Sequence, residues 1–183
     1  LCNKKYSGVA RGLWRLSLVF VEIALHRRGP EDLPASGFLL GLLAVVYGFT
    51  SFSAAQIVEP WPRAASMVVF DMGLYMAFLW VLLALFGRVP RYCQTVSALL
   101  GSGTLLTLLS IPILMFGGFA NYENTAPTLA TLLFFLVIIW SIDIAGFVVS
   151  RALPVSYVAG VLIVLGYTFG SASLGRLLFP VAG

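Results

Sequence analysis

Charged side chains interrupt this chain only at wide intervals, and the intervals set its elements. Residues 33–58 carry no charge, 64–87 carry Asp71 alone, 92–122 carry none, 124–150 carry Asp143 alone and 152–175 carry none. A hydrocarbon layer of about 30 Å is crossed by roughly 20 residues rising 1.5 Å each. All five runs are long enough. Inside lipid every backbone N–H and C=O must pair within its own segment, so runs of this length are helices. Continuous stretches such as LLFFLVIIW lack the strict alternation of a membrane β-strand. The pattern predicts spans at about 36–55, 66–87, 93–117, 126–149 and 154–175, forming one transmembrane domain over 36–179.

The breaks are marked by turn chemistry. Glu59-Pro60-Trp61-Pro62-Arg63 separates the first two spans, Gly87 to Tyr92 the next, Gly117 to Asn124 the third and fourth, and Arg151 with Pro154 the last two. Prolines stop or start helices, and Trp suits the headgroup layer. Pro112 falls inside the third run, where it predicts a kink or a helix ending near Ser110. The connections leave no room for a catalytic domain outside the membrane.

Residues 1–35 differ. At 100° per residue Arg11, Arg15, Glu22 and His26 share one narrow stripe, with Leu, Val, Phe, Ile and Trp around the rest. This predicts an amphipathic helix at the membrane interface, within a cytoplasmic N-terminal segment. A sixth span holding an Arg15–Glu22 pair is the alternative.

Composition decides the medium. Of 183 residues, 60% are apolar and 10% charged, with a mean hydropathy of +1.00. Soluble domains run at roughly 45–50% apolar and about 25% charged. A water-soluble enzyme, a disordered chain and a disulfide scaffold are excluded. The class is an all-α polytopic membrane protein: five transmembrane helices and an N-terminal interfacial helix. The net charge is +4 with pI near 9.3, and the basic residues sit at the ends of apolar runs. They read as orientation signals and contacts to anionic lipid, not as a nucleic-acid surface. With the N-terminus inside, Lys4, Lys5, Arg11, Arg15, Arg27, Arg28, Arg88, Arg91 and Arg151 fall on the inner side, against Arg63 and Arg176 outside. That bias predicts a cytoplasmic N-terminus, an outer C-terminus and, with Cys2 and Cys93 both inside, free thiols. No small-residue cleavage site follows an early apolar core, so no signal peptide is expected.

Candidate chemistry is sparse. An acid in hydrocarbon costs about 2.5–3.5 kcal/mol on insertion scales, so Asp71 and Asp143 should face a partner, a cavity or the bundle interior. Asp143 is expected near the inner end of its span, level with Arg88, Arg91 and Arg151, as a structural ion pair. Asp71 is expected about one turn inside the outer face, near Arg63. Gly37-x-x-x-Gly41, Ser97-x-x-x-Gly101 and Gly166-x-x-x-Gly170 have the spacing that lets helices approach closely. No phosphate loop, nucleophile elbow, HExxH or histidine pair is present, so no catalysis, metal or cofactor is expected.

The segments FDMGLYMAFLWVLLALFGR, YCQTVSALLGSGTLLTLLSIP and LFFLVIIWSIDIAGFVVSRAL look similar to the second, third and fourth spans of bacterial members of the Yip1 family. The resemblance runs over about 33–179. The DLYGP and GY motifs of eukaryotic members do not occur; Asp32-Leu33-Pro34 is at best a remnant. The resemblance implies a bacterial inner-membrane protein without known chemistry, acting as an adaptor or assembly factor. Two functions are therefore expected. One is a non-enzymatic accessory subunit of a membrane complex, offering its N-terminal stripe to lipid or a partner. The other is a small-solute or ion transporter that uses Asp71 or Asp143 with Gln56, Thr104, Thr107 or Ser110.

Overall fold

A computed structural model describes residues 16–116 and 129–179. Among these residues it holds helices and two short 3-10 turns, with no strand. A helix α1 runs from residue 16, the first described, to 24. Five long helices follow: α2 (Gly37–Ala55), α3 (Trp61–Leu85), α4 (Tyr92–Phe116), α5 (Leu129–Ala152) and α6 (Tyr157–Leu178). All five are long and apolar enough to cross a membrane. The protein is an integral membrane protein of all-α, polytopic architecture.

Local chemistry fixes the helix ends. Ser36 and Ser156 accept hydrogen bonds from the N–H groups of Leu39 and Ala159, capping α2 and α6. Gly87, at φ +66°, turns the chain after α3, a left-handed conformation that glycine adopts without strain. Pro60 and Pro62 do not delay α3. Both fit its start, where a missing N–H costs nothing, so α3 begins at Trp61 and not near 66. Pro112 lies inside α4, which continues past Ser110 to Phe116. Serine and threonine hydroxyls within the helices donate to carbonyls three or four residues back, as Thr50 does to Val46 and Thr104 to Leu100.

The bundle has two ends. The basic end carries Arg88, Arg91 and Arg151, where Arg91 donates to the Arg151 carbonyl at 3.2 Å. The Trp61 end joins the start of α3 to the end of α6, where Arg63 donates to the Phe179 carbonyl at 2.9 Å. The central helix is α4: every residue from Thr95 to Ser102 is buried, packed mainly between α2 and α5. By contrast α3 stands off. It is buried at Ala64, Leu79 and Leu83, and at no residue between Ala64 and Leu79.

The described part of the N-terminal helix turns apolar side chains both inward and outward, and it stands alongside the spans and does not lie across their end. Phe20, Ile23 and Ala24 are buried, while Leu18, Val21 and Leu25 face outward. Phe20 lies over Gly101, the Trp140 indole N–H donates to the Ala24 carbonyl at 3.2 Å, and Gln94 donates to the Leu33 carbonyl at 2.8 Å. From Gly101 to Gln94 is seven residues of α4, about 10 Å, so this segment descends along the bundle toward its basic end.

Small residues pack differently from their spacing. Ser97 is fully buried and Gly101 receives Phe20, as expected of that pair. Gly37, Gly41, Gly166 and Gly170 have no neighbour within 4 Å of a would-be Cβ, which corrects their assignment as packing positions. The close approach is made by Gly146 of α5 and Gly160 of α6. A Cβ on Gly160 would stand 2.4 Å from the Gly146 carbonyl oxygen.

Candidate functional site

The gap between α3 and its neighbours is a cavity, and Asp71 faces it. Residues 61 to 71 are ten steps, so Asp71 lies about 15 Å into α3, near mid-depth. The expectation of one turn inside the outer face is corrected, because the helix starts earlier than its prolines suggested. Tyr75 follows one turn later on the same face of α3. Tyr167 of α6 meets it with ring centroids 5.2 Å apart, and Phe78 stacks on Tyr167 at 4.6 Å. Tyr47 of α2 closes the side beside Gly103. These large rings hold α3 away from the bundle.

Two chambers meet at this point. The deeper one, about 250 Å³, is walled by Asp71, Tyr75, Tyr167, Ser102 and Ser141, with Leu99, Leu106 and Val164 as its apolar part. The second, about 470 Å³, shares Asp71, Thr168 and Ser171 with it and reaches Glu59, Arg63, Arg176 and Phe179 at the Trp61 end. Leu99 and Val164 are each seven residues, about 10 Å, from the basic end of their helices. The paired chambers therefore run from the Trp61 end past mid-depth and stop short of the basic end. Asp71 keeps an accessible side chain because it faces this space. Among the described residues no ion pair or hydrogen bond engages its carboxylate. At the mouth, Arg63 is held by Glu59 at 3.3 Å.

Asp143 has a different setting. It is nine residues, about 13 Å, from the basic end of α5. It does not pair with Arg88, Arg91 or Arg151, which corrects that expectation. Its carboxylate accepts from the Tyr157 hydroxyl and lies 3.4 Å from His26 Nε2. The His26 ring meets Phe147 edge-on at 4.4 Å. The reason is local: α1 ends at residue 24, and His26 takes a left-handed backbone with φ 59°. This takes it out of the helical stripe and turns it toward α5. The stripe is split, since Glu22 pairs with Arg28 at 2.8 Å, while Arg11 and Arg15 lie outside the described residues. Arg151 pairs instead with Glu31. Arg88 is exposed.

The residues proposed from sequence as a polar lining, Gln56, Thr104, Thr107 and Ser110, do not line the chambers. The lining is Ser102, Ser141, Thr168 and Ser171 with three tyrosines. One signal for it was available: Asp71 and Tyr75 stand four positions apart on one helix face, as do Tyr167 and Ser171. No group of three metal-ligating side chains occurs among the described residues. Compared with family models, characterised proteins and solved structures, the chain finds no match.

Proposed function

We propose that the protein is a non-enzymatic carrier of a small polar solute or ion, with Asp71 as the group that holds it. One observation carries this reading: an acid at mid-depth faces a hydroxyl-lined space with no protein cation against it. A carboxylate in hydrocarbon is expensive, and retaining one without a partner makes sense where a guest supplies the partner. The chambers reach the Trp61 end and stop about 10 Å from the basic end, which is the geometry of one access state of an alternating carrier and not of an open pore. The basic end is taken as cytoplasmic by its arginines, in a bacterial inner membrane, with the C-terminus on the outer side. Reconstitution into liposomes tests the carrier reading. Flux of Na⁺, K⁺, H⁺ or small organic solutes should be carried by the wild type and lost in Asp71→Asn. Flux equal in both, or none above empty liposomes, overturns it.

A second reading, an accessory or assembly subunit, is favoured by Asp143. Its pairing with His26 and Tyr157 makes it a structural clasp for the N-terminal segment and leaves it no transport role. The Yip1 resemblance agrees, and lipid together with other membrane subunits would be the partners. A stoichiometric larger complex after purification in mild detergent supports this reading; a lone, flux-competent chain refutes it.

A further inference from the structure

The chemistry of the chamber walls restricts the guest, and the restriction rests on the carrier reading. A hydroxyl has one proton and two lone pairs. At four positions around Asp71 that proton is already committed to the helix backbone. Ser102 donates to Ala98 at 2.8 Å, Ser141 to Ile138 at 2.7 Å, Thr168 to Val164 at 2.9 Å and Ser171 to Thr168 at 3.2 Å. These oxygens can therefore only accept from a guest, and so can an ionised Asp71. The deeper chamber has no Lys, Arg or His in its wall. Apart from the tyrosine hydroxyls, which can donate or accept, the polar groups of this wall are one carboxylate and four accepting oxygens, so a guest that brings donors and positive charge matches it.

Size and the aromatic wall narrow it further. A bare alkali ion needs several oxygens converging at short range. A space of about 250 Å³ with Leu99, Leu106 and Val164 in its wall has room and apolar surface for a guest of several carbon atoms. Tyr75 and Tyr167 stand in the same wall as the acid, and aromatic rings attract cations. We infer that the Asp71 chamber binds a protonated primary amine, its N–H groups on Asp71 and the neighbouring hydroxyl oxygens and its alkyl part against the apolar wall.

Calorimetric titration of the full chain in lipid nanodiscs tests this with n-butylammonium, tetramethylammonium and Na⁺ at constant ionic strength. Butylammonium should bind at least about tenfold more tightly than tetramethylammonium, which has charge and carbon but no N–H donor. Asp71→Asn should weaken butylammonium binding by about tenfold or more, and Ser171→Ala by a few-fold. Equal binding of the two ammonium ions overturns the donor argument in the wild type alone, whatever the variants do. Binding of Na⁺ without butylammonium overturns the amine assignment and leaves the carrier reading intact. No heat with any probe, together with no flux, overturns both.

Discussion

Replacing Gly160 with alanine tests how α5 and α6 are held together. A Cβ at this position would lie 2.4 Å from the Gly146 carbonyl oxygen, 3.0 Å from Ser150 Cβ and 3.1 Å from Ser150 N. The nearest atom belongs to backbone and cannot rotate away. Reaching an ordinary contact near 3.4 Å requires the helices to part by about 1 Å locally. Between lipid-embedded helices, close packing is the main attraction, because the tails outside are as apolar as the side chains inside. A gap of 0.5–1 Å forfeits roughly a quarter to a half of each van der Waals well. Overpacking of this kind costs about 1–3 kcal/mol. The obstacle is backbone, so the cost lies in the upper half of that range, and after alanine recovers up to about 1 kcal/mol of helix propensity the net loss is about 1–2 kcal/mol. The control is Gly166→Ala on the same helix, where nothing stands within 4 Å and only the propensity gain applies. Thermal unfolding in detergent, followed by tryptophan emission, should put Gly160→Ala several degrees below wild type at about 2–4 °C per kcal/mol, and Gly166→Ala level with it or higher. If Gly160→Ala melts with or above Gly166→Ala, the close crossing at Gly146 and Gly160 is refuted.

Three other outcomes are expected. Asp143→Asn should loosen the N-terminal segment by weakening the His26 contact, raising hydrogen exchange over residues 24–33 at a cost of about 1 kcal/mol or less, since both side chains are partly exposed; unchanged exchange there refutes the clasp. Phe20→Ala empties the space over Gly101 and should destabilise by less than the about 3–5 kcal/mol typical of water-soluble cores, because lipid replaces water as the alternative surrounding; a stability equal to wild type refutes the docking of α1. In cells carrying Cys2→Ser, Cys93 at the basic end should react with a membrane-permeant maleimide and not with an impermeant one. Labelling by the impermeant reagent reverses the proposed orientation.

The five helices were legible because lipid imposes a simple rule: an uncharged run of sufficient length must close its own hydrogen bonds. Position along the membrane normal was less legible, and the Asp71 error shows why. Reading Pro60 and Pro62 as a stop placed the span five residues late, whereas proline at a helix start is a fitting beginning. That shift of about 7 Å moved an acid from the headgroup edge to mid-depth and so changed its chemistry. The glycine pairs failed for another reason. A G-x-x-x-G spacing describes one face of one helix, while the observed crossing takes a single glycine from each of two helices, a coincidence that sequence spacing cannot encode. His26 and Asp143 lie more than a hundred positions apart, and their meeting depends on a left-handed turn after α1 that the helical stripe assumed away. The Asp71 chamber combines these cases. Its acid and Tyr75 could be found by spacing on α3, but the space itself exists because Tyr47, Tyr75 and Tyr167, from three different helices, converge where α3 would otherwise pack against α4 and α6. Bulky rings at that point prevent close packing around Asp71, so the separation of α3 and the accessibility of the acid have the same physical cause.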